Sequence, residues 1–143
     1  MKTLIEKSWT STDFLDANIF VYAFTKVDLA KRDACRSLLL RAEGGKESFV
    51  TDYLALVEAF QHVSRLATKA EAQGAFRQLL SLEGFSLVPL GNTLFFEAMK
   101  SYTSSSLQFA DHVHFTTAKM SAAQHIFSYD KDFDNLDIRR VEP

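Results

Sequence analysis

The chain has 143 residues, 47% of them hydrophobic, which predicts one globular domain and excludes intrinsic disorder, collagen and a coiled coil. The 16 Lys and Arg against 18 Asp and Glu leave a formal charge of −2, so no overall positive field directs the protein to nucleic acid. Cys35 is the only cysteine, which excludes an internal disulfide and a cysteine-based zinc site. No apolar run is long enough to span a bilayer, and we expect a cytoplasmic protein that makes no membrane contact.

Hydrophobic periodicity predicts strands and helices in alternation along the chain. In chain order the predicted elements are a polar arm (1–12), a strand (14–16), a short helix (19–24), a helix (28–42), a strand (48–51), two helices (53–67 and 69–82), a strand (85–88), two helices (93–102 and 107–123) and two strands (125–128 and 138–141). Asp52 is placed to cap the helix that follows it. The alternation favours a single three-layer α/β domain over residues 13–143, with a central parallel sheet of four to five strands flanked by helices.

Four acidic side chains stand out against this predicted fold. Asp16 follows the first strand and Asp130 follows the fourth, so both enter one crevice if those strands are neighbours. Glu58 is the only charged residue within 53–60, and Asp111 lies near the start of its helix. A carboxylate beside an apolar face costs free energy unless it is paired or coordinated. These acids are therefore the candidate functional residues.

A cluster of carboxylates without basic partners cannot remain fully ionised, and a divalent cation removes that penalty. Oxygen ligands alone suit Mg²⁺ or Mn²⁺, ions that activate water and neutralise charge on a phosphate. The pattern therefore supports metal-dependent phosphodiester hydrolysis. Ordinary structural roles stay open beside it: Asp16 as a helix cap, Asp130 as a turn residue, Asp111 as a first-turn acid and Glu58 as the partner of a base.

Four segments resemble, in order, the motifs of PIN-domain ribonucleases. The first motif is resembled by Phe14-Leu15-Asp16-Ala17-Asn18 and the apolar residues up to Tyr22, and the second by Val50-Thr51 through Val57-Glu58-Ala59-Phe60. Phe109-Ala110-Asp111 resembles the third, and Ser128-Tyr129-Asp130-Lys131-Asp132-Phe133 resembles the last. The gaps of 42, 53 and 19 residues between successive acids also suit the family. The resemblance covers about residues 13–141, and it implies a PIN-like nuclease domain with a metal-dependent endoribonuclease (hydrolase) activity.

The resemblance also implies site residues. The catalytic and metal-binding quartet carried over by motif is Asp16, Glu58, Asp111 and Asp130, with Asp16 and Asp111 as the direct ligands of Mg²⁺ or Mn²⁺. Asn18 and Ser128 are then expected to support the quartet by hydrogen bonds. Ala17 departs from the family's usual threonine and lacks its hydroxyl group.

Partners follow from the same resemblance. Small single-domain members are mostly VapC-like toxins of toxin–antitoxin pairs, which implies tRNA or rRNA as substrate, a cognate antitoxin protein and a homodimer. The alternative hypothesis is a non-catalytic PIN-fold module that binds RNA or protein. The loss of the hydroxyl at Ala17 favours that module, whereas the intact acidic quartet disfavours it.

Several other residues are also candidates for a functional role. Arg32, Arg36 and Arg65 are the predicted RNA contacts, with an ordinary solvated helix face as the alternative. The Asp130-Lys131-Asp132 run begins like a calcium loop, but Asn135 and Val141 stand where such a loop needs Gly and Glu. Asp132 is interpreted as a turn residue, with a role kept open by its closeness to Asp130.

The remaining candidates are interpreted as structural. No metal or acid–base role is expected for the histidines, at positions 62, 112, 114 and 125, and His112 and His114 are spaced so that they face different ways on a helix. Cys35 is expected to be a buried helix residue. A phosphoaspartate receiver domain is disfavoured, because only Asp13 and Asp16 flank the first strand and they stand three residues apart.

Overall fold

The computed structural model describes residues 11–143 and shows a five-stranded parallel sheet. The strands are β1 (Thr12–Leu15), β2 (Ser48–Asp52), β3 (Phe85–Val88), β4 (His125–Phe127) and β5 (Arg139–Val141), in the spatial order β3-β2-β1-β4-β5. Most of the predicted arm lies outside the described residues, and Thr12, its last residue, belongs to β1.

Six α-helices connect the strands. They are α1 (Ala17–Phe24), α2 (Leu29–Leu40), α3 (Tyr53–Leu66), α4 (Lys69–Ser81), α5 (Asn92–Ser101) and α6 (Phe109–Met120). Side-chain caps set several of their starts: Asp28 accepts from the Lys31 amide, and Asp52 accepts from the Ala55 amide at 2.8 Å, as the sequence predicted for Asp52. No helix among residues 11–143 is long and apolar enough to cross a bilayer.

The strands bury both faces of the sheet, as parallel sheets do. Phe14, Val50 and Ile126 pack on one face, with apolar side chains of α6 and of the segments around it. The neighbouring residues Leu15, Phe49 and Phe127 point to the other face and pack with α1–α4. The three-layer α/β architecture predicted from the sequence is confirmed.

Strand order determines where side chains of distant segments meet. β1 lies between β2 and β4, with Phe14 in register with both Val50 and Ile126. The connection that follows β1 leads to β2 on one side, and the connection that follows β4 leads to β5 on the other side. The carboxyl ends of β1 and β4 are therefore the topological switch point of the sheet. Asp16 and Asp130 therefore follow neighbouring strands, which is the arrangement required for both to enter one crevice.

Candidate metal centre

Asp16 is the most enclosed of the four candidate acids, with 6% of its surface exposed. It follows β1, donates its amide to the Phe127 carbonyl and caps α1 by accepting from the Ala17 amide at 2.7 Å. Its other carboxylate oxygen accepts from Ser128 Oγ at 2.6 Å and from Asn18 Nδ2 at 3.2 Å. Asp16 is thus a helix cap, and its carboxylate is also held in a fixed orientation at the switch point.

Ser128 and Asn18 connect the ends of β1 and β4. Asn18 Nδ2 donates to Ser128 Oγ at 3.1 Å, and Asn18 Oδ1 accepts from the Tyr129 amide at 3.2 Å. Ser128 Oγ also accepts from the Asp130 amide at 3.0 Å. The same hydroxyl therefore orients Asp16 directly and fixes the backbone that carries Asp130.

Asp111, Asp130 and Asp132 form a second group beside Asp16. Their carboxylate oxygens lie within 4.8 Å of one another. Asp111 comes from the first turn of α6, whereas Asp130 and Asp132 lie on the turn after β4, where Asp130 Oδ1 accepts from the Asp132 amide at 2.9 Å. Asp132, interpreted from sequence as a turn residue, is in that turn and also contributes a carboxylate to the group.

Burial and neighbouring charges raise the pKa of two of these acids, Asp111 and Asp16. Burial raises the pKa of Asp111 to about 6, with the charges of Asp16, Asp130 and Glu58 adding to the rise while His114 opposes it. Burial also raises the pKa of Asp16, although His114, Ser128 and the Ala17 amide act in the opposite direction. Charges that perturb one another in this way share one electrostatic environment, so the structure brings the four predicted acids to a common edge.

No lysine or arginine within residues 11–143 lies at ion-pair distance from Asp16, Asp111 or Asp130. A half-buried carboxyl group with a raised pKa and no lysine or arginine partner is the environment that a divalent cation relieves. The ligand atoms on offer are carboxylate oxygens, the donors that Mg²⁺ and Mn²⁺ prefer. The residues therefore fit either ion.

Glu58 reaches the site from α3 and contacts a buried histidine. His114 Nε2 lies 3.6 Å from Glu58 Oε2, and His114 Nδ1 lies 2.8 Å from Asp52 Oδ2. Burial alone would lower the pKa of His114, but its hydrogen bond to Asp52, its contact with Glu58 and the charges of Asp52 and Asp16 raise it to about 10. No metal or acid–base role was expected for this histidine; the available signal was its position one helical turn after Asp111.

The predicted RNA-contact arginines are not brought to the acids. Arg36 Nε donates to the Ala23 carbonyl at 2.7 Å, and Arg32 and Arg36 line a groove between α2 and α4 to which none of the four acids contributes. Arg65 is exposed in the last turn of α3. Lys31 lies with its ammonium nitrogen 4.7 Å from the ring centre of Tyr129, the residue that directly precedes Asp130 in the chain.

The other histidines and the cysteine serve the structure. His112 is buried and hydrogen-bonds Ser101 Oγ at 2.8 Å, and His125 contacts the Asp13 carboxylate at 3.0 Å. His62 is exposed and contacts the backbone carbonyl of Glu58. Cys35 is buried in α2, as predicted.

Comparison with known proteins identifies related families and folds. A family model described as the PIN domain matches residues 14–139. No curated protein matches the chain significantly.

Solved structures share the fold over nearly the whole chain. Mycobacterium tuberculosis VapC20, described as a Sarcin-Ricin loop cleaving toxin, superposes with a TM-score of 0.73 at 18% identity, covering 93% of this chain and 100% of that one. VapBC2 from Rickettsia felis, bound to a promoter DNA fragment, gives 0.69 at 18% identity, covering 92% and 98%. FitAcB from Neisseria gonorrhoeae gives 0.60 at 16% identity, covering 91% and 96%.

Proposed function

Because this chain belongs to the PIN domain family, we propose that it is a Mg²⁺- or Mn²⁺-dependent endoribonuclease, and the toxin of a toxin–antitoxin pair that acts on tRNA or rRNA. One observation carries the proposal. The carboxylates of Asp111, Asp130 and Asp132 converge at the carboxyl edge of the sheet, and Asp16 and Glu58 are close enough to raise the pKa of Asp111. Acids crowded in this way favour a bound divalent cation.

Each of the four acids, and the two residues that support Asp16, is assigned a role in this proposal. Asp16 and Asp111 hold the ion, and Glu58 and Asp130 complete the site. A bound Mg²⁺ or Mn²⁺ supplies water activation and neutralises charge on the scissile phosphate. Ser128 and Asn18 keep the Asp16 carboxylate in one orientation, so that no reorganisation is needed when the cation arrives.

RNA binding needs positive charge beside these acids. Lys31 is proposed to supply part of it: its ammonium group lies over the rings of Tyr22 and Tyr129, at 4.8 and 4.7 Å from their centres, and Tyr129 directly precedes Asp130 in the chain. Arg65 is exposed and remains a proposed phosphate contact, together with Arg32 and Arg36 at the groove beside α2. A structured RNA substrate is supported by the neighbour described as cleaving the Sarcin-Ricin loop.

An antitoxin partner is supported by structural neighbours that are toxin–antitoxin complexes, among them one from Klebsiella pneumoniae. The groove between α2 and α4, of about 740 Å³, offers a surface for such a partner. A homodimer is supported by exposed apolar side chains on α5, which are Phe95, Phe96 and Met99. We place these assemblies in the cytoplasm.

The test is cleavage of total tRNA and rRNA by purified protein with Mn²⁺, Mg²⁺ or EDTA. The matched variants are Asp16→Asn and Asp137→Asn; Asp137 has a side chain that is 81% exposed, and it pairs with Lys119 instead of the acidic site. We expect cutting that requires a metal ion, is lost in Asp16→Asn and is kept in Asp137→Asn. Absence of cutting together with absence of Mn²⁺ binding by calorimetry would instead support the non-catalytic module.

A further inference from the structure

Asp52 is a fully buried acid outside the quartet, and its hydrogen bonds are all made within the protein. One carboxylate oxygen accepts from the Ala55 amide at the start of α3. The other lies 2.8 Å from His114 Nδ1 and accepts from Thr117 Oγ1 at 3.0 Å. Asp52 thereby joins the end of β2 to α6.

These contacts fix the imidazole ring of His114. The residue is 1% exposed, so the ring has no room to adopt another rotamer, and its bond to Asp52 assigns the Nδ1 edge to the interior. The opposite edge, Nε2, is then directed at Glu58 Oε2, 3.6 Å away. This separation suits an ion pair and is longer than a hydrogen bond.

A contact with His114 restricts the conformations that the Glu58 side chain can adopt. Its side chain is 40% exposed, and within residues 11–143 its carboxylate has no other hydrogen bond or ion pair. A free glutamate samples several rotamers, and that freedom is lost each time the carboxylate binds an ion or a water. A fixed group beside it reduces this cost.

We propose that His114 is a positioning residue for Glu58, and that Asp52 holds His114 in the orientation which this requires. The inference rests on the proposed function, since it assigns Glu58 a place in the acidic site. It adds to the quartet a buried pair of side chains, Asp52 and His114, to which the resemblance assigns no role in the site.

Two substitutions separate the two edges of the ring. His114→Asn keeps a donor near Nδ1 for Asp52 but removes the contact with Glu58, whereas His114→Gln places an amide near Nε2. Thr117→Val is the structural control, because it removes a donor to Asp52 without touching Glu58. We expect kcat to fall roughly 10- to 100-fold in His114→Asn with KM for RNA unchanged, a partial recovery in His114→Gln and near-normal kcat in Thr117→Val.

A double-mutant cycle shows whether His114 acts through Glu58. In a Glu58→Gln background, His114→Asn is expected to cause no further loss of kcat and no further change in Mn²⁺ affinity measured by calorimetry. Equal losses in both backgrounds, or wild-type kcat in a folded His114→Asn protein, would overturn the inference while the proposed function stands. A wild-type protein that neither cleaves RNA nor binds Mn²⁺ would overturn the proposed function, and this inference with it.

A spectroscopic measurement on metal-free protein requires no substitution of His114. Imidazole nitrogen and N–H resonances are compared between the wild type and Glu58→Gln. We expect the Nε2 signals of His114 to move while the Nδ1 signals, set by Asp52, stay in place. Unchanged Nε2 signals would refute the contact, whatever the folding of the His114 variants.

Discussion

Replacing Asp111 with Asn should stabilise the metal-free protein. The substitution keeps the size of the side chain and removes a charge that burial disfavours first and that Asp16, Asp130 and Glu58 oppose as well. The pKa of Asp111 is raised from 3.8 to about 6, so the folded state holds its proton more tightly than the unfolded state does. The stability that the protonated form provides is complete below pH 3.8 and is lost as the pH rises through 6.

The size of the effect follows from the pKa values. Each pKa unit is worth about 1.4 kcal/mol, so the rise from 3.8 to about 6 corresponds to about 3 kcal/mol of lost stability at pH 7.5. Asp111 is only half-buried, and solvent screening reduces this to about 1–2 kcal/mol. At pH 4.5 linkage leaves roughly a third of the difference, because most native molecules then carry the proton.

The assay is urea denaturation in EDTA at pH 7.5 and pH 4.5, with the wild type, Asp111→Asn and the exposed control Asp137→Asn. Asp111→Asn should be the more stable protein at pH 7.5, the advantage should shrink at pH 4.5, and the control should change little. A variant that is no more stable than the wild type at pH 7.5, or an advantage independent of pH, would refute the claim that burial and neighbouring carboxylates disfavour the charge on Asp111.

Two further substitutions test the hydrogen bond that supports Asp16 and the close backbone packing at Gly84. Ser128→Ala removes the hydroxyl group that donates to Asp16 at 2.6 Å, and we expect calorimetry to show roughly tenfold weaker Mn²⁺ binding; unchanged affinity would contradict the role of Ser128. Gly84→Ala places a Cβ 2.0 Å from the Glu47 carbonyl oxygen and 2.7 Å from that of Ala42, and we expect urea denaturation to show a loss of at least about 2 kcal/mol; wild-type stability would disprove this close backbone approach.

The elements of the fold were predictable because their signals are local. Consecutive apolar residues such as Phe14 and Leu15 indicate a strand that is buried on both faces. An acid before an apolar run, such as Asp52, indicates a helix cap. These patterns depend on neighbours in sequence. The predicted strands and helices therefore match the observed ones apart from differences at their ends.

The parts of the site that were missed depend on contacts between distant segments. His114 contacts Asp52, which is 62 residues away in sequence, and no sequence pattern near either residue predicts the pair. Arg36 donates to the Ala23 carbonyl 13 residues away, a contact that its helix position does not reveal, and its contact with RNA stays a prediction. Asp132 has a local signal, its place two residues after Asp130, which by itself does not distinguish a ligand from a turn residue.

The central claim is that these acids form one divalent-cation site. Crystals of the wild-type protein soaked in millimolar Mn²⁺ and measured at the manganese absorption edge test it directly. We predict an anomalous peak within coordination distance of the Asp16 and Asp111 carboxylates, beside Asp130, and its disappearance in Asp111→Asn. A peak elsewhere on the molecule, or none at this edge of the sheet, would contradict the account.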